Sequence, residues 1–289
     1  MNSDLNACTP AASASALTAA KPDVDFIAIK QRQQATWASG DYGNIGIRLQ
    51  IVGESLAEAV DVRADERVVD VAAGNGNATL AAARRFARVI ATDYVPHLLD
   101  EAALRAKAEG LEVQFQPADA EALPFEDGSF DVAMSTFGVM FTPEPGKAAH
   151  ELKRVIRGGG RIGMANWTPE GFIGQLFRVI AAYVPPPAGI QSPALWGTEP
   201  RIVELFGPDA TDIRCVRRHF NFRFRSAAHW VDVFRKFYGP THKAYAALDA
   251  TRQVGLTEEI TALLERLNVG GANSLVVPSE YLEVVIAKK

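Results

Sequence analysis

Short apolar runs alternate with amphipathic segments through the middle of the chain. Five runs have the composition of buried strands, RVVDVA (67–72), ARVIATD (87–93), EVQFQPAD (112–119), FDVAMST (130–136) and GRIGMANW (160–167). Helical patterns fill the gaps at 77–86, 96–109 and 145–156, and they begin and end at prolines and glycines that suit helix termini. This alternation predicts a parallel sheet with helices on both faces.

The pattern changes after residue 167. A proline-rich loop at 184–193 is followed by a strand-like segment at 215–224, and helical segments run from 227 to about 267. A last apolar run at 281–287 predicts one more strand. This part of the chain reads as an elaboration of the central sheet.

Two glycines stand at the end of the first predicted strand, in DVAAGNG (70–76). Ligands of open parallel sheets bind beyond the carboxyl ends of the strands. Gly74 and Gly76 let a ligand approach the backbone, and the helix that follows offers unpaired N–H groups to an anionic group. Asp93 ends the second strand, where a carboxylate can accept hydrogen bonds from both hydroxyls of a ribose. The glycine turn and Asp93 together predict a nucleoside-containing cofactor.

Composition narrows the class of protein. The chain has 289 residues, 48% of them hydrophobic and 22% charged, which fits a globular domain with an elaboration. A net charge of −4 argues against a general nucleic-acid binder. Cys8 and Cys215 are too few for a disulfide framework and lack metal-ligand spacing, so we expect a reducing compartment and no metal site. Residues 1–22 resemble no signal peptide, and no run is long enough to span a membrane, which predicts a cytoplasmic protein.

Four stretches follow one another at the predicted strand ends. They are DVAAGNG (70–76), ATD (91–93), ADAEALPFEDGSFDVAMS (118–135) and ELKRVIRGGGRI (151–162). In this order the chain resembles the class I S-adenosylmethionine-dependent methyltransferases, and among them the type 11 group that includes ubiquinone and menaquinone C-methyltransferases. The resemblance covers about residues 67–167. It implies S-adenosylmethionine as cofactor and a Rossmann-like α/β sheet of seven strands, in which the segments near 215–224 and 281–287 pair and one strand is antiparallel.

The resemblance implies roles for the first two strand ends. Asp70 would anchor the first loop and meet the methionine end of the cofactor, while Gly74 and Gly76 allow close backbone approach. Asp93 would hold the ribose hydroxyls. Ala72 departs from the family pattern, which usually has glycine there, but it is small enough to keep cofactor binding.

The next two strand ends receive roles in the same way. Asp119 would accept a hydrogen bond from the adenine amino group, with the backbone N–H of Ala120 beside it. Ser135 and Thr136 would flank the methionine moiety. Tyr42, upstream in TWASGDY (36–42), is a candidate to cover the cofactor, since an aromatic face attracts a sulfonium. The alternative for Tyr42 is packing within the N-terminal helical segment.

These assignments divide the chain into four parts. Residues 1–22 are expected to be a disordered leader, and residues 23–66 a helical segment that covers the cofactor. Residues 67–167 form the cofactor-binding core, and residues 168–289 form an acceptor-side elaboration that includes the last two strands and a lid.

The acceptor is expected to be a small, largely apolar molecule. Phe137 and Met140 follow the fourth strand, on the loop that faces the transferred methyl group, and Trp196 with the loop at 184–193 would close the pocket. This favours methyl transfer to oxygen or carbon of a small organic molecule. Packing beneath the neighbouring helix is the alternative for these residues. Neither the identity of the acceptor nor the oligomeric state follows from the sequence.

A general base is not indicated by any spacing. Histidines are the candidates by pKa, among them His150, His219 and His229, although a surface position for His150 and a structural role for His219 and His229 are the favoured alternatives. In the segment 214–225 a strand would place three phenylalanines on one face and arginines on the other. Those arginines form either a solvated face or an anion-binding wall.

Two other functions use the same residues. A nicotinamide-dependent oxidoreductase would also need the glycines and Asp93, although Thr79 stands where its third glycine would be; it predicts a sixth parallel strand. A binding module that retains the cofactor site without turnover is the other. A nucleic-acid methyltransferase is disfavoured because STFG, not Asn-Pro-Pro-aromatic, follows the fourth strand.

Overall fold

The computed structural model describes residues 24–289, whose strands form one mixed sheet in the order β3-β2-β1-β4-β5-β7-β6. The strands are β1 (Arg67–Val71), β2 (Arg88–Asp93), β3 (Val113–Pro117), β4 (Phe130–Thr136), β5 (Ile156–Trp167), β6 (Ala210–Phe224) and β7 (Leu275–Lys288). β1 to β5 are parallel, and β7 lies antiparallel between β5 and β6. The predicted seven-stranded sheet with one antiparallel strand is confirmed. The sixth parallel strand that an oxidoreductase would add beside β5 is replaced by β7.

Eleven α-helices surround this sheet in the described residues. They are α1 (Phe26–Trp37), α2 (Gly43–Gly46), α3 (Gln50–Ala59), α4 (Asn77–Ala83), α5 (Pro96–Ala108), α6 (Pro145–Val155), α7 (Phe172–Tyr183), α8 (Glu199–Phe206), α9 (Ala227–Phe237), α10 (Gly239–Ala246) and α11 (Ala250–Leu267). Prolines stand in the first turn of α5 and α6, where their missing N–H has no helical partner to lose. The central strands β1 and β4 are mostly apolar, as expected for strands that are covered on both faces.

The start of β5 differs from the sequence-based prediction. The strand begins at Ile156, directly after α6, and not at residue 160. Its pairing with β4 passes from Phe130 opposite Ile156 to Val132 opposite Arg161, so residues 157–160 bulge out of the ladder. Gly159 has a φ of +71° in this bulge, which a glycine adopts without strain. The three glycines at 158–160 therefore form a bulge within β5.

The N-terminal helices and the C-terminal elaboration meet through close backbone contacts. The N–H of Asp41 donates to the carbonyl of Phe237 at 3.0 Å. Gly40 has a φ of +82°, and a Cβ there would lie 2.6 Å from the Phe237 oxygen. A Cβ on Gly239 would overlap the carbonyl oxygen of Thr36. Two glycines thus let the turn after α1 dock against the junction of α9 and α10, above the carboxyl ends of the strands.

The division into four parts remains a prediction. The predicted leader at 1–22 lies outside them. From residue 24 to residue 289, no helix combines the length and apolar character needed to cross a lipid bilayer.

Candidate active site

The turn after β1 has an unusual backbone conformation. Ala72, Gly74 and Gly76 all have positive φ angles, of 54°, 55° and 84°. Left-handed geometry is strained for a residue with a Cβ, which gives a physical reason for the glycine that the family pattern expects at the position of Ala72. A Cβ on Gly76 would lie 2.9 Å from the Cβ of Ala102 in α5, so this glycine allows helix α4 to start close to its neighbour.

Asp93 fixes this turn from the end of β2. Its Oδ2 accepts the N–H of Gly74 at 2.9 Å, and its Oδ1 accepts the N–H of Val95 at 2.9 Å. The residue is 5% exposed, and burial raises the pKa of its carboxyl to about 6 although the backbone N–H groups favour the charged form. A carboxylate has further lone pairs, so Asp93 can still accept hydrogen bonds from a ligand.

A cavity that is partly open to solvent lies beside this turn, with about 810 Å³ of space when the adjoining solvent is included. Its lining comes from α1 and from the loops after β1, β2, β3 and β4. Eight of the residues predicted for the site line it: Tyr42, Ala72, Gly74, Asp93, Asp119, Ala120, Thr136 and Phe137. The sequence motifs therefore converge at one place in the fold.

Other predicted site residues lie behind this lining. Asp70 is fully buried; the hydroxyl of Thr79 donates to its Oδ2 at 2.6 Å and its Oδ1 has no partner. Burial raises the pKa of Asp70 to about 7. Ser135 is also fully buried, where it donates to the carbonyl of Val71 and accepts the N–H of Val139. Both residues, like Gly76, support the turn from beneath and do not reach the cavity wall.

Met140 and Trp196 do not line the cavity, contrary to the sequence-based expectation. Met140 is 1% exposed and Trp196 is 2% exposed, and both belong to the hydrophobic core. The Trp196 ring packs edge-on against Phe206 of α8 at 6.2 Å. The loop before Trp196 is anchored to the core on that side, so this tryptophan does not close the pocket.

Lys30 is a cavity residue that sequence reasoning missed. Its ammonium group lies 2.6 Å from Asp119 Oδ2 and 2.5 Å from Glu121 Oε2. The Glu121 side chain is fully buried, and the N–H of Glu121 donates to Asp119 Oδ1. A lone lysine in an N-terminal helix carries no sequence signal for a contact with a loop 89 residues away.

A second, smaller cavity adjoins the first and is almost entirely aromatic. It is lined by Trp37, Tyr42, Phe137, Phe141, Trp167, Phe222, Phe234 and Tyr238, with Ile45, Leu49 and Ile173. Four of these, Trp37, Tyr42, Phe137 and Phe141, line the first cavity as well. The Phe137 and Trp167 rings are stacked with centroids 3.8 Å apart. Phe222 belongs to the alternating phenylalanines of β6, which the sequence pattern placed on one face of a strand without assigning them to a pocket.

The three candidate histidines lie away from both cavities. His150 is exposed on α6, and the His219 side chain on β6 is 55% exposed. His229 is half-buried at the start of α9, where its Nδ1 accepts the N–H of Arg225. No described histidine lines either cavity.

The β6 segment has the two faces that its sequence predicts. Phe220, Phe222 and Phe224 are buried, whereas Arg223 and Arg225 are exposed. Arg223 donates to the carbonyl of Asn221 in its own strand. These arginines point away from the aromatic cavity and form a solvated face.

Comparison with known proteins agrees with this geometry. Residues 69–164 match the model of a methyltransferase domain family. The chain is 43% identical to an uncharacterized protein of Mycobacterium tuberculosis over 251 residues, covering 85% of this chain and 90% of the relative. It is 36% identical over 177 residues to the demethylmenaquinone methyltransferase of Thermus thermophilus, covering 57% of this chain and 80% of that enzyme.

Solved structures show the same fold. The YcgJ protein from Bacillus subtilis aligns with 82% of this chain and 98% of its own length, at a TM-score of 0.57 and 21% identity. These findings confirm the resemblance seen in the sequence motifs and remove the oxidoreductase alternative. The chain belongs to the class I S-adenosylmethionine-dependent methyltransferases, in the group of the type 11 methyltransferase domain, and is an enzyme whose cofactor is S-adenosylmethionine.

Proposed function

We propose that the enzyme transfers the methyl group to an oxygen or carbon atom of a small, largely apolar organic acceptor held in the aromatic cavity. The observation that carries this proposal is the wall that the two cavities share. Trp37, Tyr42, Phe137 and Phe141 line both of them. A cofactor in the polar cavity and an acceptor in the aromatic cavity would therefore be neighbours.

The polar cavity fits the cofactor through its own residues. Asp93 would accept hydrogen bonds from the ribose hydroxyls with the lone pairs that Gly74 and Val95 leave free. Asp119 and Ala120 line the part of the cavity after β3, where they would meet the adenine. A Cβ on Gly74 would lie 3.2 Å from the Tyr42 ring, so the glycine keeps open the narrow space between turn and ring.

The methionine end would lie along the turn after β1. Ala72, Gly74 and Thr136 line the cavity there, while Asp70 and Ser135 hold the turn from beneath. When bound, the cofactor supplies a methyl group on a positively charged sulfur. The faces of Tyr42 and Trp37, with ring centroids 5.7 Å apart, would attract that charge.

The aromatic cavity would hold the acceptor dry and in line with the methyl group. Pockets for small organic molecules are mostly apolar, and this lining consists of aromatic and aliphatic side chains. Holding two reactants at near-attack distance supplies much of the rate acceleration in such a displacement. The helices of residues 24–66 and the elaboration at 168–289 supply opposite walls, which gives each of these parts a function.

A methyl-transfer screen tests this proposal. The enzyme is incubated with cofactor labelled in the methyl group and with phenols, quinone precursors, lipids, amines, tRNA and protein. We expect label in phenols or other small apolar molecules, and a large loss in the Phe137→Ala variant because the shared wall is opened. Labelling of tRNA or protein alone would contradict the small-molecule proposal. Unchanged activity in Phe137→Ala would place the acceptor outside the aromatic cavity.

A further inference from the structure

Two tyrosine hydroxyls are the notable polar groups of the aromatic cavity. Tyr42 and Tyr238 both line it, with ring centroids 6.4 Å apart. Tyr42 comes from the turn before α2, and Tyr238 from the junction of α9 and α10. Tyr238 is only 8% exposed. By contrast, Tyr183 and Tyr245 hydrogen-bond to Glu259 and Thr257.

Neither cavity hydroxyl is engaged by the protein. In residues 24–289, no hydrogen bond joins the hydroxyl of Tyr42 or Tyr238 to another group. Neither hydroxyl is fully buried, so water can reach both of them. An occupant of the cavity would take the place of that water by accepting hydrogen bonds from the two hydroxyls.

Both hydroxyls act as donors and not as bases. Burial raises the pKa of Tyr42 well above its usual range, and the negative charge of Asp93 raises it further. Burial also raises the pKa of Tyr238, with a contribution from Tyr42. The two groups therefore keep their protons at any working pH and can offer them to an oxygen anion.

The remaining ionisable groups near the cavities are committed elsewhere. Asp93 accepts two backbone N–H groups and is assigned above to the ribose hydroxyls of the cofactor, and Asp119 is paired with Lys30. Burial raises the pKa of Tyr94, which lines the polar cavity, so it too stays protonated. The described lining thus contains no group free to take a proton from an acceptor in the aromatic cavity.

We propose, resting on the function above, that this site takes a flat acceptor with an ionised hydroxyl, a phenolate or enolate, and methylates its oxygen. The hydroxyls of Tyr42 and Tyr238 hold that oxygen by hydrogen bonds. Methylation at a ring carbon would require a base to remove the ring proton afterwards, and the described lining offers none.

The step balances without a protein base. The acceptor loses its proton to water before it binds as the anion. An oxygen lone pair forms the bond to the methyl carbon while the carbon–sulfur bond breaks, and that electron pair stays on sulfur. The products are a neutral methyl ether and neutral S-adenosylhomocysteine. Because one positive and one negative charge disappear together, an apolar cavity favours the reaction.

A series of phenols at one fixed pH tests the proposal. The wild-type enzyme is given labelled cofactor and 4-nitrophenol, 4-cyanophenol or 4-methoxyphenol, which become less acidic in that order. We expect kcat/KM to fall along the series, because a smaller fraction of each phenol is ionised, and the product to be the methyl ether. A carbon-methylated product would overturn this inference but leave the function proposed above standing. Methylation of tRNA or protein only would instead overturn that function.

Variants of the two tyrosines test their role. Tyr238→Phe is expected to raise KM for 4-nitrophenol roughly ten- to a hundredfold, since a hydrogen bond to a charged group is lost, while the affinity for S-adenosylmethionine is kept. Tyr42→Phe is expected to raise the same KM. Tyr245→Phe is the matched control, because its hydroxyl bonds to Thr257 away from both cavities. Equal KM values in Tyr238→Phe and Tyr245→Phe would overturn the proposal.

Discussion

The ammonium group of Lys30 in α1 lies 2.6 Å from Asp119 Oδ2 in the loop after β3. The same helix donates from Gln33 to the carbonyl of Phe141, in the loop after β4, and from Gln34 to the carbonyl of Tyr94, after β2. Ile29 is its one buried apolar residue. Helix α1 is thus held over the polar cavity by polar contacts to three strand ends and by the Trp37 ring, which packs against Phe141 and Tyr238.

Loss of the ion pairs of Lys30 should weaken the attachment of helix α1, which covers the polar cavity. In Lys30→Met, Asp119 and the buried Glu121 lose their counter-ion, so we expect the dissociation rate of S-adenosylmethionine to rise roughly tenfold or more. Stopped-flow measurement of cofactor release checks this. Arg32→Met is the matched control, because Arg32 is exposed on the same helix and its guanidinium donates to Ala28 within that helix. Equal release rates in the two variants would show that the ion pair does not hold the cover.

The C-terminal elaboration at 168–289 should pack against α1 only because Gly239 has no Cβ. A Cβ there would overlap the Thr36 carbonyl oxygen, which is backbone and cannot move alone. We expect Gly239→Ala to lower the free energy of unfolding by about 1–3 kcal/mol, measured by urea denaturation. Gly146→Ala is the control, since nothing lies within 4 Å of a Cβ in that helical position. A Gly239→Ala variant as stable as Gly146→Ala would contradict the close contact.

Asp70 should make stability depend on pH. Burial raises the pKa of Asp70 to about 7 in the folded protein, whereas it is about 3.9 in an unfolded chain. The stability that this group contributes is therefore complete below about pH 4 and is lost as the pH rises towards 7. Asp70→Asn ionises in neither state. From pH 5 to pH 8, we expect the stability of the variant relative to wild type to rise by roughly 1–3 kcal/mol.

Urea denaturation at the two pH values gives this difference. Asp232→Asn, which changes an exposed carboxylate on α9, is the control and should show no such shift. If Asp70→Asn and wild type differ by the same amount at pH 5 and pH 8, the Asp70 carboxyl titrates normally in the folded protein.

The fold and the cofactor cavity could be predicted from the sequence because the motifs that indicate them are local. Gly74 and Gly76 follow a strand directly, and Asp93 ends the next one, so the rule that parallel strands present their carboxyl ends together was enough to place them. The conformation of Ala72 and the support from Asp70 could not be predicted from the sequence, since backbone torsion and burial depend on the packing around the turn.

Only part of the aromatic cavity could be predicted from the sequence. Phe137 was predicted from its position after β4, whereas Tyr238 and Lys30 come from helices that reach the site through tertiary contacts. Trp196 shows the converse error: an aromatic residue in a proline-rich loop suggested a lid, but its ring packs against Phe206 in the core. The sequence alone does not distinguish an apolar residue that lines a pocket from one that packs in the core.

The affinity for S-adenosylmethionine with and without the Asp93 carboxylate is the sharpest test of the cofactor site. Titration calorimetry compares S-adenosylmethionine binding to wild type, Asp93→Asn and Asp100→Asn, the last changing an exposed carboxylate on the neighbouring helix α5. We expect Asp93→Asn to weaken binding roughly tenfold or more, because hydrogen bonds from the ribose to a charged group are lost, and Asp100→Asn to stay within about twofold of wild type. Equal affinity in wild type and a folded Asp93→Asn protein would contradict this role of Asp93.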